Sequence, residues 1–353
     1  MINSLQSLRG IFAIVIFLHH FAEFHAGGDC GVSFFIILSG FVLCGGYQDK
    51  FDRHQVSVNE FTNKRLSKIY PLHVLCLAGA IILQRGAASL PVIGIWIGNL
   101  FLLQSWIPLS EVYFSGNAVS WYLSTLMLCY AMFPFIVRNI SKLRGSNRLL
   151  YFILGAVCLY FIVIQIIPEN YKAGLIYVNP VFRLYDFCLG VLLWQLYDSL
   201  RKYSVKYGRI LRMPKAAKTL VEVIAVALMV VYVIWYPFVP LEYSLASYWW
   251  LPAACLIVTF ALFDRSMGLV SRVLNWSLLV KFGNVSFSFY MIHVLVYQYL
   301  EIILNKLSIV PSHGLMLAYA FILTTALAYA CHYWFVKPMA KAWMKRTENH
   351  KMT

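Results

Sequence analysis

What most constrains this chain is the recurrence of apolar segments about as long as a bilayer is thick. They run near 5–24, 31–47, 69–85, 91–107, 119–137, 149–167, 181–197, 219–237, 246–263, 284–304 and 313–335. A helix needs about 20 predominantly apolar residues to cross roughly 30 Å of hydrocarbon. Eleven such segments in 353 residues therefore predict an all-α, polytopic transmembrane bundle rather than two soluble domains. Composition agrees, with 61% hydrophobic and 12% charged residues, against about 45–50% and about 25% in soluble domains. There is no internal repeat or long linker, so residues 1–340 read as one membrane domain and 341–353 as a basic cytoplasmic tail.

The formal net charge of +15 would suit nucleic acid if the bases formed one patch, but they do not. Five short segments, 48–68, 138–148, 201–218, 264–281 and 337–353, hold 24 of the 29 lysines and arginines. That is the cytoplasmic bias of membrane proteins, and the 201–218 loop reads as a partner for anionic lipid rather than for nucleic acid. The eight cysteines lie singly, without CxxC or Cys/His spacing, so no metal is expected.

If all five basic segments are cytoplasmic, an even number of crossings must separate successive ones. The interval 69–137 contains three apolar segments, and the one around 91–107, with Gly94, Gly98, Asn99 and bounding prolines, is the weakest. Irregular backbone survives at membrane depth only when buried in protein. The sequence thus predicts about ten crossings plus one re-entrant or broken segment near 91–107, in an inner cell membrane, with both termini cytoplasmic. The connections 25–30, 108–118, 168–180, 238–245 and 305–312 then face outward.

The first span, SLRGIFAIVIFLHHF, carries Arg9, His19 and His20. Ionisable groups in a membrane interior are costly and mark functional sites. At about 100° per residue, Arg9 and His20 project from nearly one face, roughly 16 Å apart, while His19 points about 80° away. Arg9 can also be read as an interfacial anchor, and the histidines as packing groups. Guanidinium suits phosphate and imidazole suits proton abstraction near neutral pH, so the pair fits an extended donor with an anionic head and a reactive far end. An acyl-coenzyme A has that shape.

These residues, with GVSFFIILSGFVL (31–43), FTNKRLSKIYPLH (61–73), NAVSWYLSTLMLCYAMFP (117–134), NPVFRLYDFCLGVLL (179–193) and FGNVSFSFYMIHVLV (282–296), resemble the acyltransferase-3 family of integral-membrane O-acyltransferases. The resemblance implies that Arg9 and His20 are needed for activity. It also implies a pair of cytoplasmic bases three apart, which falls on Arg65 and Lys68; lysine keeps the charge of the usual arginine but not its bidentate fork. The carboxylate that some members place after the tryptophan of the fourth motif is missing from WYLSTLMLCY. The implied donor is acetyl-coenzyme A, the implied acceptor a glycan or lipid-linked sugar, and no metal is required.

Catalytic candidates are accordingly His20, Arg9 and His19, and acyl-coenzyme A-binding candidates are Arg9, Arg65, Lys68 and Lys64. Asn117, Trp121, Tyr122, Arg183, Ser286, Tyr290 and His293 are candidates for acceptor binding or cavity lining. Each has a structural alternative: aromatic belt for Trp121 and Tyr122, an ion pair with Asp186 for Arg183, and a polar packing stripe for Ser286, Tyr290 and His293. The rival function is a transporter or flippase for a lipid-linked or anionic solute, with Arg9 and His20 as substrate or proton-relay residues.

Overall fold

The computed structural model describes residues 2–84, 89–143, 147–208 and 213–349, with side chains to 347. The end of the 341–353 tail, from 350 onward, lies outside the described residues. Twelve main helices build the chain: α1 Asn3–Phe21, α2 Ala26–Asp52, α3 Val58–Leu83, α4 Leu90–Leu100, α5 Trp121–Leu143, α6 Asn147–Ile166, α7 Pro180–Tyr207, α8 Lys215–Trp235, α9 Trp250–Phe263, α10 Ser277–Lys306, α11 His313–Ala330 and α12 Lys337–Asn349. Among the described residues there is no strand. Among the described residues, eight helices are long and apolar enough to cross a membrane, and Glu169–Val178 with Pro180–Tyr207, bent by 42°, makes a ninth if the pair is one span. Residues Ser247–Phe263 form a shorter apolar helix. This multi-pass membrane bundle agrees with about ten crossings.

Local signals set the helix ends. Ser57 caps α3 by accepting from the Glu60 amide at 3.1 Å, satisfying one donor that the first turn leaves unpaired. Asn179 does the same for α7 through the Val181 amide at 2.9 Å, with Pro180 preset for the first turn. Gly208, at φ 69°, ends α7 in the left-handed conformation that glycine adopts without strain.

The segment near 91–107 does not cross. Its helix α4 has 11 residues, roughly 16 Å of rise against about 30 Å of hydrocarbon. Side chains of neighbouring elements hold it: His73 Nε2 donates to Asn99 O at 2.9 Å and Tyr70 Oη to Leu100 O at 3.1 Å, both from α3. Asn99 Nδ2 reaches Ser115 Oγ at 2.7 Å. Backbone that cannot find water is thus paired with protein, the condition for a partial span.

Two close helix crossings fix the bundle. On α1 and α10, a Cβ at Gly10 would meet Gly283 N at 3.2 Å, and one at Gly283 would overlap the Gln6 carbonyl. On α2 and α7, a Cβ at Gly40 would strike the Phe187 carbonyl, and one at Gly190 the Ile37 carbonyl. Small residues at such crossings let backbones approach and gain dispersion contacts that lipid would otherwise supply. Gly10 faces Gly283, and ten residues on His20 faces His293 at 5.1 Å between ring centroids, so α1 and α10 run parallel and in register.

Gly283→Ala should cost about 1–3 kcal/mol of stability, the usual penalty of overpacking, read as a lower melting temperature of the purified protein. Gly46→Ala, where an added Cβ meets nothing within 4 Å, is the control. Equal melting of the two variants would contradict the close crossing.

Candidate functional site

Arg9 stands six residues into α1, about 9 Å along its axis. It borders a cavity of about 420 Å³ whose lining also takes in the middle of α2 and the first turns of α5. Arg65 and Lys68 of α3 and Lys337 at the start of α12 share that wall. Apolar residues border it too, with Phe35, Leu38, Val42, Leu126 and Phe287 among them. Hydroxyls border it as well: Ser39 of α2, Tyr122 and Tyr130 of α5, and Ser286 and Tyr290 of α10.

The wall holds four cations and, among the described residues, no carboxylate. Arg65 donates from Nη2 to Tyr47 Oη at 2.8 Å, its guanidinium carbon lying 4.9 Å from the Tyr47 ring centroid. Its Nε is buried without a partner in the structure. Arg9 makes one long hydrogen bond, Nη1 to Gln6 Oε1 at 3.4 Å. Donors that neutral groups satisfy so incompletely, in a partly low-dielectric wall, leave a strong positive potential for an anion.

His20 lies outside this cavity, exposed at the far end of α1. His293 sits between the two: its ring centroid is 5.1 Å from His20 and 5.9 Å from Tyr290, whose side chain lines the wall. The His293 Nδ1 faces Tyr290 O at 2.6 Å and so carries the proton. This leaves Nε2 as an acceptor, buried and without a hydrogen-bond partner in the structure. Tyr290 Oη donates to Val119 O at 2.9 Å, tying α10 to the start of α5.

The remaining sequence-predicted residues divide clearly. Tyr122 and Ser286 line the cavity, and the Ser286 hydroxyl is buried without a partner. Lys64 does not line it. His19 Nδ1 faces the carbonyls of Phe24 and His25 at 3.2 and 3.0 Å, pinning the turn between α1 and α2. Asn117 is buried, donating to Met291 O at 2.9 Å, and Trp121 packs 4.7 Å from the Tyr177 ring, so neither offers an open platform. Arg183 is fully buried, pairing with Asp186 at 2.9 Å and donating to Ser33 Oγ and Leu245 O. Trp250 Nε1 completes the Asp186 shell. A buried ion pair whose charges neutralise one another is a structural joint, here between α2, α7 and the start of α9, although Arg183 Nε and Asp186 Oδ2 lack hydrogen-bond partners.

Sequence reasoning missed Lys337 and His332 in the wall. Residues Cys331–Val336 form a π-helical turn between α11 and α12. Five residues apart, these two would diverge by about 140° on an α-helix, but the i to i+5 bonding of a π turn stacks them on one side.

The comparisons fit this architecture. The sequence profile of the family described as an acyltransferase domain matches residues 2–336. The chain belongs to this acyltransferase-3 family of membrane acyltransferases. It is 30% identical to the acyltransferase MdmB of Streptomyces mycarofaciens, covering 84% of this chain and 79% of that protein. It is 25% identical to BcsY of Komagataeibacter xylinus, named as a membrane-bound transacylase, over 82% of this chain and 72% of the relative. Protein 2 in the picA locus of Rhizobium radiobacter is 37% identical over 79 residues, 21% of this chain and 41% of that protein. No solved structure matches. Family membership supports acyl transfer over the transporter alternative.

A cysteine placed at Asn284, in the half-exposed part of the wall, reports the local potential. In a background lacking the native cysteines, Asn284→Cys should react faster with an anionic than with a cationic thiosulfonate reagent. Adding Arg65→Ala and Lys68→Ala should shrink that preference, and equal rates for both reagents would refute a cationic cavity.

Proposed function

We propose that this chain is an acetyl-coenzyme A-dependent O-acetyltransferase of the inner cell membrane, acting on a hydroxyl of a surface polysaccharide or related glycan. Both termini and the basic end of the bundle lie on the cytoplasmic side in this reading, which the distribution of lysine and arginine supports. The observation that carries it is the cavity walled by Arg9, Arg65 and Lys68 and free of carboxylates among its described residues, in a chain of an acyltransferase family. The relatives named as acyltransferase and transacylase agree with group transfer. The volume of about 420 Å³ falls within the roughly 300–1,000 Å³ typical of small-molecule sites.

The phosphates of the donor meet the guanidinium groups of Arg9 and Arg65 and the ammonium of Lys68. The pantetheine arm follows the apolar wall past Tyr122, Ser286 and Tyr290 toward His293 and His20. His20 removes the proton of the acceptor hydroxyl as its oxygen attacks the thioester carbonyl. The tetrahedral intermediate then collapses, the carbon–sulfur bond breaks, and the coenzyme A thiolate leaves and takes up a proton. In the two-step order, His20 itself attacks the thioester, the carbon–sulfur bond breaks with coenzyme A leaving as the thiol, and the acetyl group then passes from imidazole to the hydroxyl oxygen, whose proton goes to the freed imidazole. His19, fixed to the turn carbonyls, holds the helix end that presents His20.

The test is transfer by the purified protein in lipid discs, read by mass spectrometry as glycan heavier by one acetyl group and as released coenzyme A thiol. His20→Ala should lose roughly 10²- to 10⁴-fold in rate, the usual worth of a general base, with the fold intact. A retained rate would remove His20 from the chemistry. Arg9→Ala should raise KM for acetyl-coenzyme A by about tenfold or more, the worth of a hydrogen bond between charged groups. An unchanged KM would remove Arg9 from donor binding.

A further inference from the structure

The cavity wall contains a cation on which neither the first-span motif nor the α3 pair bears. Lys337 opens α12 directly after the π turn, and its Nζ lies 4.2 Å from the centroid of the Tyr333 ring. The ammonium thus rests on an aromatic ring that lies outside the cavity lining, while Lys337 itself borders the cavity. The turn also brings His332 into the same wall. Beyond it, α12 docks along α3, where Trp343 Nε1 donates to Asn63 Oδ1 at 3.2 Å and the Trp343 ring lies 6.3 Å from that of Tyr70. Asn63 and Tyr70 flank Arg65 and Lys68 on α3, so the docking sets Lys337 opposite those two bases.

Three features make this a binding arrangement rather than an ordinary basic flank. Lys337 has no carboxylate beside it in the wall, unlike Lys172, which pairs with Glu169 and Glu242 at 2.6 and 2.9 Å. The π turn departs from regular geometry at the place where two polar side chains enter the cavity, and such turns accumulate at functional sites. The buried Arg65 Nε, without a partner, points to a ligand that supplies the missing acceptor.

We infer that Lys337, delivered by the π turn at 331–336, is a further donor-binding residue that completes a cationic ring for a polyphosphate head. This rests on the acyl-coenzyme A reading above and deepens it. Lys337 is at the rim and well removed from His20, so it acts on the affinity for donor and on its capture, not on the chemical step. Exposure and salt screening make its contribution smaller than that of Arg9.

The experiment is direct binding of coenzyme A to the full-length protein in lipid discs, for wild type, Arg9→Ala, Lys337→Ala, Lys337→Arg and Lys341→Ala. Lys341 follows one turn later on α12 and does not line the cavity. Lys337→Ala should weaken binding roughly threefold to tenfold, between a screened surface pair and a hydrogen bond to a charged group. Lys337→Arg should keep wild-type affinity, Lys341→Ala should change nothing, and the kcat of Lys337→Ala at saturating donor should equal that of wild type. Wild-type affinity in Lys337→Ala, with Arg9→Ala weakened, overturns this inference and leaves the donor reading standing. No coenzyme A binding by the wild-type protein overturns the donor reading and the inference together.

Discussion

The close approach of α1 and α10 at Gly10 and Gly283 is the contact on which the candidate site depends. With no room for a side chain at either position, the two helices run side by side in one register. Neighbours of the crossing inherit their places from it: Arg9 enters the cavity wall, Phe17 packs on Phe289 at 5.8 Å, and His20 meets His293. In lipid there is no hydrophobic drive to bring helices together, so a crossing of small residues sets geometry through dispersion alone. A slip of one residue would turn Arg9 and His20 away from α10 by about 100°.

A second joint keeps the other side of the cavity in place. The helices α2 and α7 cross at Gly40 and Gly190, and the Arg183–Asp186 pair is tied to Ser33 and Trp250 nearby. Polar groups in this half are largely spent on one another, as with the Tyr236 hydroxyl donated to Asp29 at 2.7 Å. The cations of the cavity are different, because the wall offers them hydroxyls and rings instead of carboxylates. The Arg183 charge is neutralised by Asp186, whereas the cations of the cavity have no carboxylate in the described wall to do so.

Much of this was legible in the sequence. Segment length and hydropathy gave the helix bundle, and the parity of basic loops singled out 91–107 as the stretch that does not cross. The spacing of Arg9, with Arg65 and Lys68 from the family motif, led to residues that the fold gathers around one cavity. Periodicity failed where geometry departs from the α-helix. A basic stretch beginning at Lys337 reads as a lipid-facing flank unless the π turn before it is known, and nothing in CHYWFV announces that turn. Side-chain depth was equally hidden: Asn117 and Trp121 sit among aromatics in a loop-to-helix junction, a pattern shared by exposed sugar platforms and by buried joints. The separation of His20 from the cavity by His293 depends on α10, which no reading of α1 alone could supply.

The central claim is that an acyl-coenzyme A enters at the cationic end and extends toward the histidines. An experimentally determined structure with acetyl-coenzyme A bound addresses it most directly. The account predicts phosphate density against Arg9, Arg65 and Lys68, with the thioester beyond Tyr290 on the side of His293 and His20. Donor density elsewhere on the molecule, with these three cations facing only solvent or lipid, would contradict it.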